Sequence, residues 1–219
     1  MSSEFVLYVW GYNHSSWSMR AGLALRQTGA PFREVAARDA PEGFGAIKGY
    51  SPTGLLPVLR HGTEFIWDSL AIAEYLADEF PDAGLWPSPK LARAHARCMV
   101  AEMHSGFQAL REFLPMNLQA HYPGFYKSVQ VRREITRVSA MWLQCLERYS
   151  GGGPFLFGEF GLADAFFAPV VMRFTSYDVA LATPLAEYAQ AVRMQPFVQD
   201  WLRLAEADPH LNPAYQFTR

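Results

Sequence analysis

The sequence is poor in the residues that build disulfide-stabilised or metal-binding proteins. Only two cysteines, Cys98 and Cys145, occur among its 219 residues, and they form no CxxC spacing. The six histidines show neither an HxxxH nor an HExxH pairing. These absences exclude a disulfide framework and give a zinc or iron site no sequence support, so we expect chemistry that uses no metal.

An excess of charge of one sign and long apolar runs are also missing. Nineteen basic residues stand against 21 acidic ones, which gives a formal charge of −2 and no basic field to attract nucleic acid or an anionic membrane. No apolar stretch approaches the roughly 20 residues that span a bilayer, and residues 1–4 lack the features of a secretion signal. We therefore expect a cytoplasmic protein with neither a nucleic-acid nor a membrane partner.

The first 80 residues mix strand and helix patterns. An apolar run at 5–9 predicts a strand, the segment from Ser15 to Arg26 a helix, and residues 32–35 a second strand, which together make a βαβ unit with parallel strands. Two further runs, at 55–59 and 64–67, predict an antiparallel pair, and Asp68-Ser69 then caps a helix.

The rest of the chain has only helical periodicity. A proline-rich stretch at 81–89 separates it from the first part. We predict a first domain over 1–80, a linker over 81–90 and an all-helical domain over 91–219. Its helices are expected at 91–120, 128–149, 162–176, 185–194 and 196–207. The order βαβ, ββα and then helices predicts a thioredoxin-like α/β domain joined to a helical bundle.

Four motifs together resemble the bacterial cytosolic glutathione S-transferases, of a serine type similar to the zeta class. They are Ser15-Ser16-Trp17-Ser18-Met19-Arg20, Ser51-Pro52-Thr53-Gly54-Leu55-Leu56-Pro57-Val58-Leu59, Asp68-Ser69-Leu70-Ala71-Ile72-Ala73-Glu74-Tyr75-Leu76 and Phe157-Gly158-Glu159-Phe160-Gly161-Leu162-Ala163-Asp164. The resemblance implies glutathione as co-substrate, a small hydrophobic electrophile as second substrate, and a homodimer.

The same resemblance implies where glutathione binds. Pro57 would follow a cis peptide that turns the backbone of Leu56 towards the cysteinyl backbone of glutathione. A trans proline that merely begins an edge strand is the alternative. Asp68 and Ser69 would hold the γ-glutamyl carboxylate at a helix N-terminus, where an ordinary cap is the alternative. Many relatives carry a lysine in place of Leu55, so Lys48 is the candidate for the glycyl carboxylate, with a surface role equally open.

The reacting group is expected where the first strand meets its helix. A thiol with a pKa near 8.5 needs a donor and a helix N-terminus to ionise at neutral pH. Ser15 occupies the place of the first cysteine in thioredoxin-like redox proteins and is the first candidate, and Ser16 is the second. Both could simply cap the helix. The zeta-class motif Ser-Ser-Cys-Ser places Asn13 and His14 at its first two serines, so either could share in stabilising the anion.

The second-substrate pocket is expected to draw on the stretch Glu102 to Arg111, which resembles bacterial transferases. His104, Phe107 and Arg111 stand at i, i+3 and i+7 and should share one helix face. Packing inside the bundle is the alternative for that face. His14 would complete the pocket, whereas Asp164 is expected to serve folding, by reaching back to an amide at the start of its helix.

The function implied is transfer of glutathione, as its thiolate, to a hydrophobic electrophile. A glutathione-dependent cis–trans isomerase, similar to maleylacetoacetate isomerases, is a close alternative. A non-catalytic binding module is the alternative from a different class.

Overall fold

The computed structural model describes residues 4–39, 45, 49–124, 128–209 and 212. Among the described residues of the first part, four strands and two α-helices have complete bounds. In chain order they are β1 (Phe5–Val9), α1 (Ser16–Gln27), β2 (Phe32–Ala36), β3 (Val58–His61), β4 (Glu64–Trp67) and α2 (Ser69–Glu79).

The strands form one mixed sheet in the order β2-β1-β3-β4. β1 pairs parallel with β2 and antiparallel with β3, which pairs antiparallel with β4. All five residues of β1 are buried, because it is an inner strand. The predicted thioredoxin-like arrangement is confirmed. β3 begins after Pro57, later than the predicted start at residue 55, since proline has no N–H to donate to a ladder.

The second part is helical. Its helices are α3 (Lys90–Ser105), α4 (Gln108–Phe113), α5 (Val129–Tyr149), α6 (Leu162–Ser176), α7 (Thr183–Met194) and α8 (Pro196–Glu206). The all-helical architecture is as predicted, and the domain boundaries at 80 and 90 stay a prediction. Among the described helices, none is long and apolar enough to cross a membrane.

The single helix predicted over 91–120 is wrong. The chain leaves the helix at Gly106, and Phe107 adopts the left-handed conformation with φ of 60°. A Cβ on Gly106 would lie 2.8 Å from the carbonyl oxygen of Glu102, so only glycine permits this close turn. After this break α4 carries Arg111, whose guanidinium carbon lies 4.8 Å from the ring centroid of Trp17 on α1.

Helix α1 joins the two parts. It packs against α2 on the sheet side and against α6 and α8 on the helical side. One continuous core cluster includes buried residues from β1, α1 and all the larger helices of the second part. The N-terminus of α1 is therefore held at the boundary between sheet and bundle.

Candidate functional site

A cavity of about 330 Å³ lies where β1 ends and α1 begins. Its walls come from both parts of the chain, with Trp10, His14, Ser15, Ser16 and Trp17 from the first part and Arg111, Pro115, Met116, Arg173 and Asn212 from the second. Both predicted catalytic serines and two of the predicted second-substrate residues thus share one cavity. Its described lining contains two arginines and no acidic residue.

Ser15 is the N-cap of α1. Its Oγ accepts a hydrogen bond from the amide of Ser18 at 3.2 Å and donates to Ser18 Oγ at 2.8 Å. The Ser18 hydroxyl oxygen also accepts from the amide of Trp10 at 3.1 Å. The Ser15 proton is therefore engaged within the first turn of its own helix.

Ser16 is the first residue of α1, and its partner comes from the helical part. Arg173 Nη2 donates to Ser16 Oγ at 3.3 Å, and both residues are only 4% exposed. The same guanidinium donates through Nε to the carbonyl of Leu114 at 2.8 Å and through Nη1 to that of Pro169 at 3.2 Å. A buried guanidinium needs such acceptors, and they fix its plane against the Ser16 hydroxyl.

His14 forms a neutral wall of the cavity. Its Nδ1 lies 3.1 Å from the carbonyl oxygen of Met116, which can only accept, so Nδ1 carries the proton. Its Nε2 accepts from Asn13 Nδ2 at 3.2 Å and from the amide of Asn212 at 3.1 Å. Burial lowers the pKa of His14, although the Met116 carbonyl and the charge of Asp208 act in the opposite direction. His14 is thus no cation for a bound anion at neutral pH.

Asn13 supports the loop and does not line the cavity. Its side chain is fully buried, and Oδ1 accepts from the amides of Leu118 at 2.7 Å and Gln119 at 3.2 Å. Asp208 Oδ2 accepts from the amides of Tyr12 at 2.9 Å and Asn13 at 3.4 Å. Because the side chain is occupied in this way, the structure places Asn13 away from the direct ligand contact that was expected.

A second group of predicted residues meets at the N-terminus of α2. Asp68 Oδ1 accepts from the amides of Leu70 at 2.7 Å and Ala71 at 3.4 Å, and Oδ2 lies 3.2 Å from His104 Nε2. Partial burial acts to raise the pKa of Asp68, but these hydrogen bonds hold it below the usual value. Asp68 also has a φ of 74°, a strained conformation that tends to occur at ligand sites.

Ser69 lies beside that carboxylate with an unsatisfied hydroxyl. It is 1% exposed, and its Oγ has no hydrogen-bond partner in the described part of the chain. A buried hydroxyl without a partner is costly, so this position favours a ligand that supplies an acceptor.

The ring of Trp17, which lines the cavity, also contacts His104, the partner of Asp68 at the N-terminus of α2. The guanidinium carbons of Arg20 and Arg111 lie 4.6 Å and 4.8 Å from the centroid of its ring, and the ring of His104 lies 5.1 Å from it, centroid to centroid. The Arg20 guanidinium is fully buried without a hydrogen-bond partner among the described residues. Burial, then the charges of Arg111 and Arg173, lower the pKa of Arg20. The region around the N-terminus of α1 is strongly cationic.

The remaining predicted residues lie elsewhere or outside the described residues. The Leu56–Pro57 peptide is cis, as predicted. Lys48 lies outside the described residues. Phe107 is buried in the core, and His104 pairs with Asp68, so only Arg111 of the three predicted pocket residues lines the cavity. The expected common face is wrong, because the helix breaks at Gly106.

Arg173 was not among the residues predicted from the sequence. Its signal was present, since it is the only charged residue between Asp164 and Asp178 and interrupts an apolar run from Ala165 to Phe174. A lone arginine in a buried segment needs acceptors, which marks it for inspection. Asn212, which lies beyond α8, carries no comparable signal.

Two family models match the chain. The glutathione S-transferase N-terminal domain matches residues 14–79, and the glutathione S-transferase C-terminal domain matches residues 129–213. Together they cover well over half of the sequence.

Individual proteins are similar over most of their length. A probable maleylacetoacetate isomerase of Caenorhabditis elegans is 26% identical over 81% of this chain and 82% of its own. Glutathione S-transferase 1 of Dianthus caryophyllus is 26% identical over 83% and 82%. The crystal structure of a Burkholderia glutathione transferase homologue with bound glutathione has a TM-score of 0.72 at 22% identity, covering 93% of this chain and 99% of that one.

Proposed function

The chain belongs to the glutathione S-transferase family, and from that membership we propose that it ionises glutathione at the start of α1 and adds the sulfur to a small electrophile. The observation that carries the proposal is the cavity in which two serines at a helix N-terminus face Arg111 and Arg173. A hydroxyl donor, the helix dipole and buried positive charge all favour a thiolate over a thiol. Lowering a thiol pKa by about two units requires roughly 2.7 kcal/mol of such preference.

Glutathione would lie between the cavity and the N-terminus of α2. Within the described chain, the peptide groups of Leu56 make no backbone hydrogen bond, so they can pair with an extended peptide. Ser69 at the start of α2, with its unpartnered hydroxyl, suits the γ-glutamyl carboxylate, and the Asp68 carboxylate suits its ammonium group. We keep Lys48 as the candidate for the glycyl carboxylate.

The reaction needs no covalent enzyme intermediate. The thiol proton passes to solvent, and the sulfur lone pair forms a C–S bond with the electrophile. In a displacement the leaving group departs with the bonding pair, whereas in an addition a solvent proton completes the neighbouring carbon. The protein contributes ionisation and the joint orientation of two substrates. Pro115, Met116 and Trp10 offer the apolar surface for the electrophile.

The test is calorimetric titration of the full-length protein with glutathione, followed by a conjugation assay with a generic aryl halide. We expect saturable binding and conjugate formation above the uncatalysed rate. Absence of binding would refute the proposal, while binding without turnover of any electrophile in a panel would favour the non-catalytic module.

Isomerisation is the second candidate, because several of the similar proteins are named maleylacetoacetate isomerases. In that reaction glutathione adds and then leaves, so the same thiolate serves. Product analysis with a cis-enone distinguishes the two: a trans product with recovered free glutathione identifies the isomerase.

A further inference from the structure

The two serines at the cavity differ in whether their hydroxyl protons already have an acceptor within the protein. A serine hydroxyl donates one hydrogen bond and accepts up to two. The proton of Ser15 is directed to Ser18 Oγ, and its oxygen accepts the Ser18 amide. For Ser16, the oxygen accepts from Arg173, and its proton meets no acceptor in the described part of the chain.

The bond from Arg173 has a direct electrostatic consequence. A cationic donor on the hydroxyl oxygen withdraws electron density from the O–H bond and strengthens it as a donor. The Ser16 proton must also point away from the guanidinium that occupies its oxygen. Since Ser16 lines the cavity, a ligand there can supply the acceptor that this proton lacks in the described part of the chain.

We propose that Ser16, rather than Ser15, donates the hydrogen bond to the glutathione sulfur, and that Arg173 is the positioning residue that directs its proton. This inference rests on the proposed function. Activation of the sulfur then depends on both parts of the chain, because Arg173 lies on α6 and Ser16 on α1.

Other positively charged side chains around Ser16 also favour an anionic sulfur at the cavity. Arg111 on α4 lines the cavity, and Arg20 on α1 lies one helical turn further on. Asp208 accepts from backbone amides and Asp68 pairs with His104. Glu134, whose charge acts on Arg111, accepts from the amides of Ala109 and Leu110 at the start of α4. Among the described residues that line the cavity with Ser16, the charged ones are both arginines.

The test follows the ultraviolet absorbance of the thiolate of bound glutathione against pH in the full-length protein. Ser16→Ala should raise the thiol pKa by about one to two units, which is a ten- to hundredfold smaller thiolate fraction at a pH below it. Ser16→Thr keeps the hydroxyl and should restore most of the effect. Ser15→Ala should lower the melting temperature by removing the cap and change the thiol pKa less than Ser16→Ala.

Arg173 is tested through Ser16. Arg173→Met should also raise the thiol pKa, and Arg173→Lys should recover part of it. In a Ser16→Ala background, Arg173→Met should add much less than it does alone. A matched control is Arg137→Met, which removes an exposed arginine that pairs with Glu102 away from the cavity.

The outcomes separate the two proposals. If the unmodified protein binds glutathione without lowering its thiol pKa, the proposed function fails. If the thiol pKa is lowered but Ser16→Ala leaves it unchanged, or Ser15→Ala raises it more, only this inference is overturned. An effect of Arg173→Met that is equally large without the Ser16 hydroxyl would overturn the positioning role. If Arg173→Met fails to fold, the comparison of Ser16→Ala with Ser16→Thr still decides the donor.

Discussion

Replacing Ser69 should weaken glutathione binding without destabilising the fold. Its buried hydroxyl has no described partner in the chain, so Ser69→Ala removes no internal hydrogen bond. We expect an unchanged or slightly higher melting temperature and about tenfold weaker glutathione binding, the equivalent of one hydrogen bond. Calorimetry measures the second and thermal unfolding the first. Ser128→Ala at the start of α5 is the matched control, and an equal Kd in Ser69→Ala would rule out this contact.

The contact between His104 and Asp68 should affect the stability of the protein at acidic pH. His104 donates to the carboxylate and helps to keep the pKa of Asp68 low despite its partial burial. A depressed carboxyl pKa contributes stability above the pKa of the unfolded chain and loses it as pH falls through the folded value. His104→Ala should raise the pKa of Asp68 and move the acid limit of stability upwards. Carboxyl NMR titration measures the first effect, and an unmoved Asp68 resonance would contradict it.

The start of α6 contains a buried carboxyl group whose titration should make the stability of the protein depend on pH. Asp164 is fully buried, and its oxygens accept from the amides of Gly161 at 3.0 Å and Leu156 at 3.2 Å. The predicted contact back to an N-terminal amide is confirmed. Burial raises the pKa of Asp164 to about 7, although the two hydrogen bonds act against the rise.

Because the folded pKa of Asp164 is the higher one, its stabilising contribution is present below the unfolded pKa and is lost as pH rises through about 7. Asp164→Asn removes the titration and one acceptor. We expect it to lower stability by about 1 kcal/mol at acidic pH and to flatten the decline between about pH 4 and 7, the range between the unfolded and folded pKa values of Asp164. Denaturant unfolding at a series of pH values measures both effects. Parallel curves for the two proteins would show that Asp164 does not titrate in this range.

The contact between α1 and α8 couples the two parts of the molecule. A Cβ on Gly22 would overlap Trp201 Cζ3, and the same tryptophan donates to the Tyr12 carbonyl at 3.0 Å. Gly22→Ala gains up to about 1 kcal/mol of helix propensity but overpacks a full interface, which costs about 1–3 kcal/mol.

We therefore expect Gly22→Ala to lower the free energy of unfolding and to weaken glutathione binding, since Tyr12 begins the loop that carries His14 and Ser15. Unfolding in urea and calorimetry measure the two effects. Gly49→Ala is the control, because none of the described residues lies within 4 Å of a Cβ there. A neutral Gly22→Ala variant would mean that the bundle adjusts without affecting the loop.

At the scale of the whole molecule, local patterns predicted most of the elements. Alternation and helical period identified β1, β4, α5 and α6 closely, because each depends on burial of its own residues. The patterns failed at a helix end, where a local turn at a glycine outweighed the periodicity. The periodicity of His104, Phe107 and Arg111 continues across Gly106, yet the close approach to the Glu102 carbonyl ends the helix there.

The sequence by itself determined the order of elements, the cap at Asp68, the contact of Asp164 and the pair of serines at the start of α1, since all of these are set by neighbours a few residues apart. Only the tertiary structure decided which serine keeps a proton for the cavity. Ser15 is satisfied by Ser18, three residues on, whereas Ser16 meets Arg173, 157 residues on. Such a partner is fixed by the packing of α6 against α1, and no local pattern contains it.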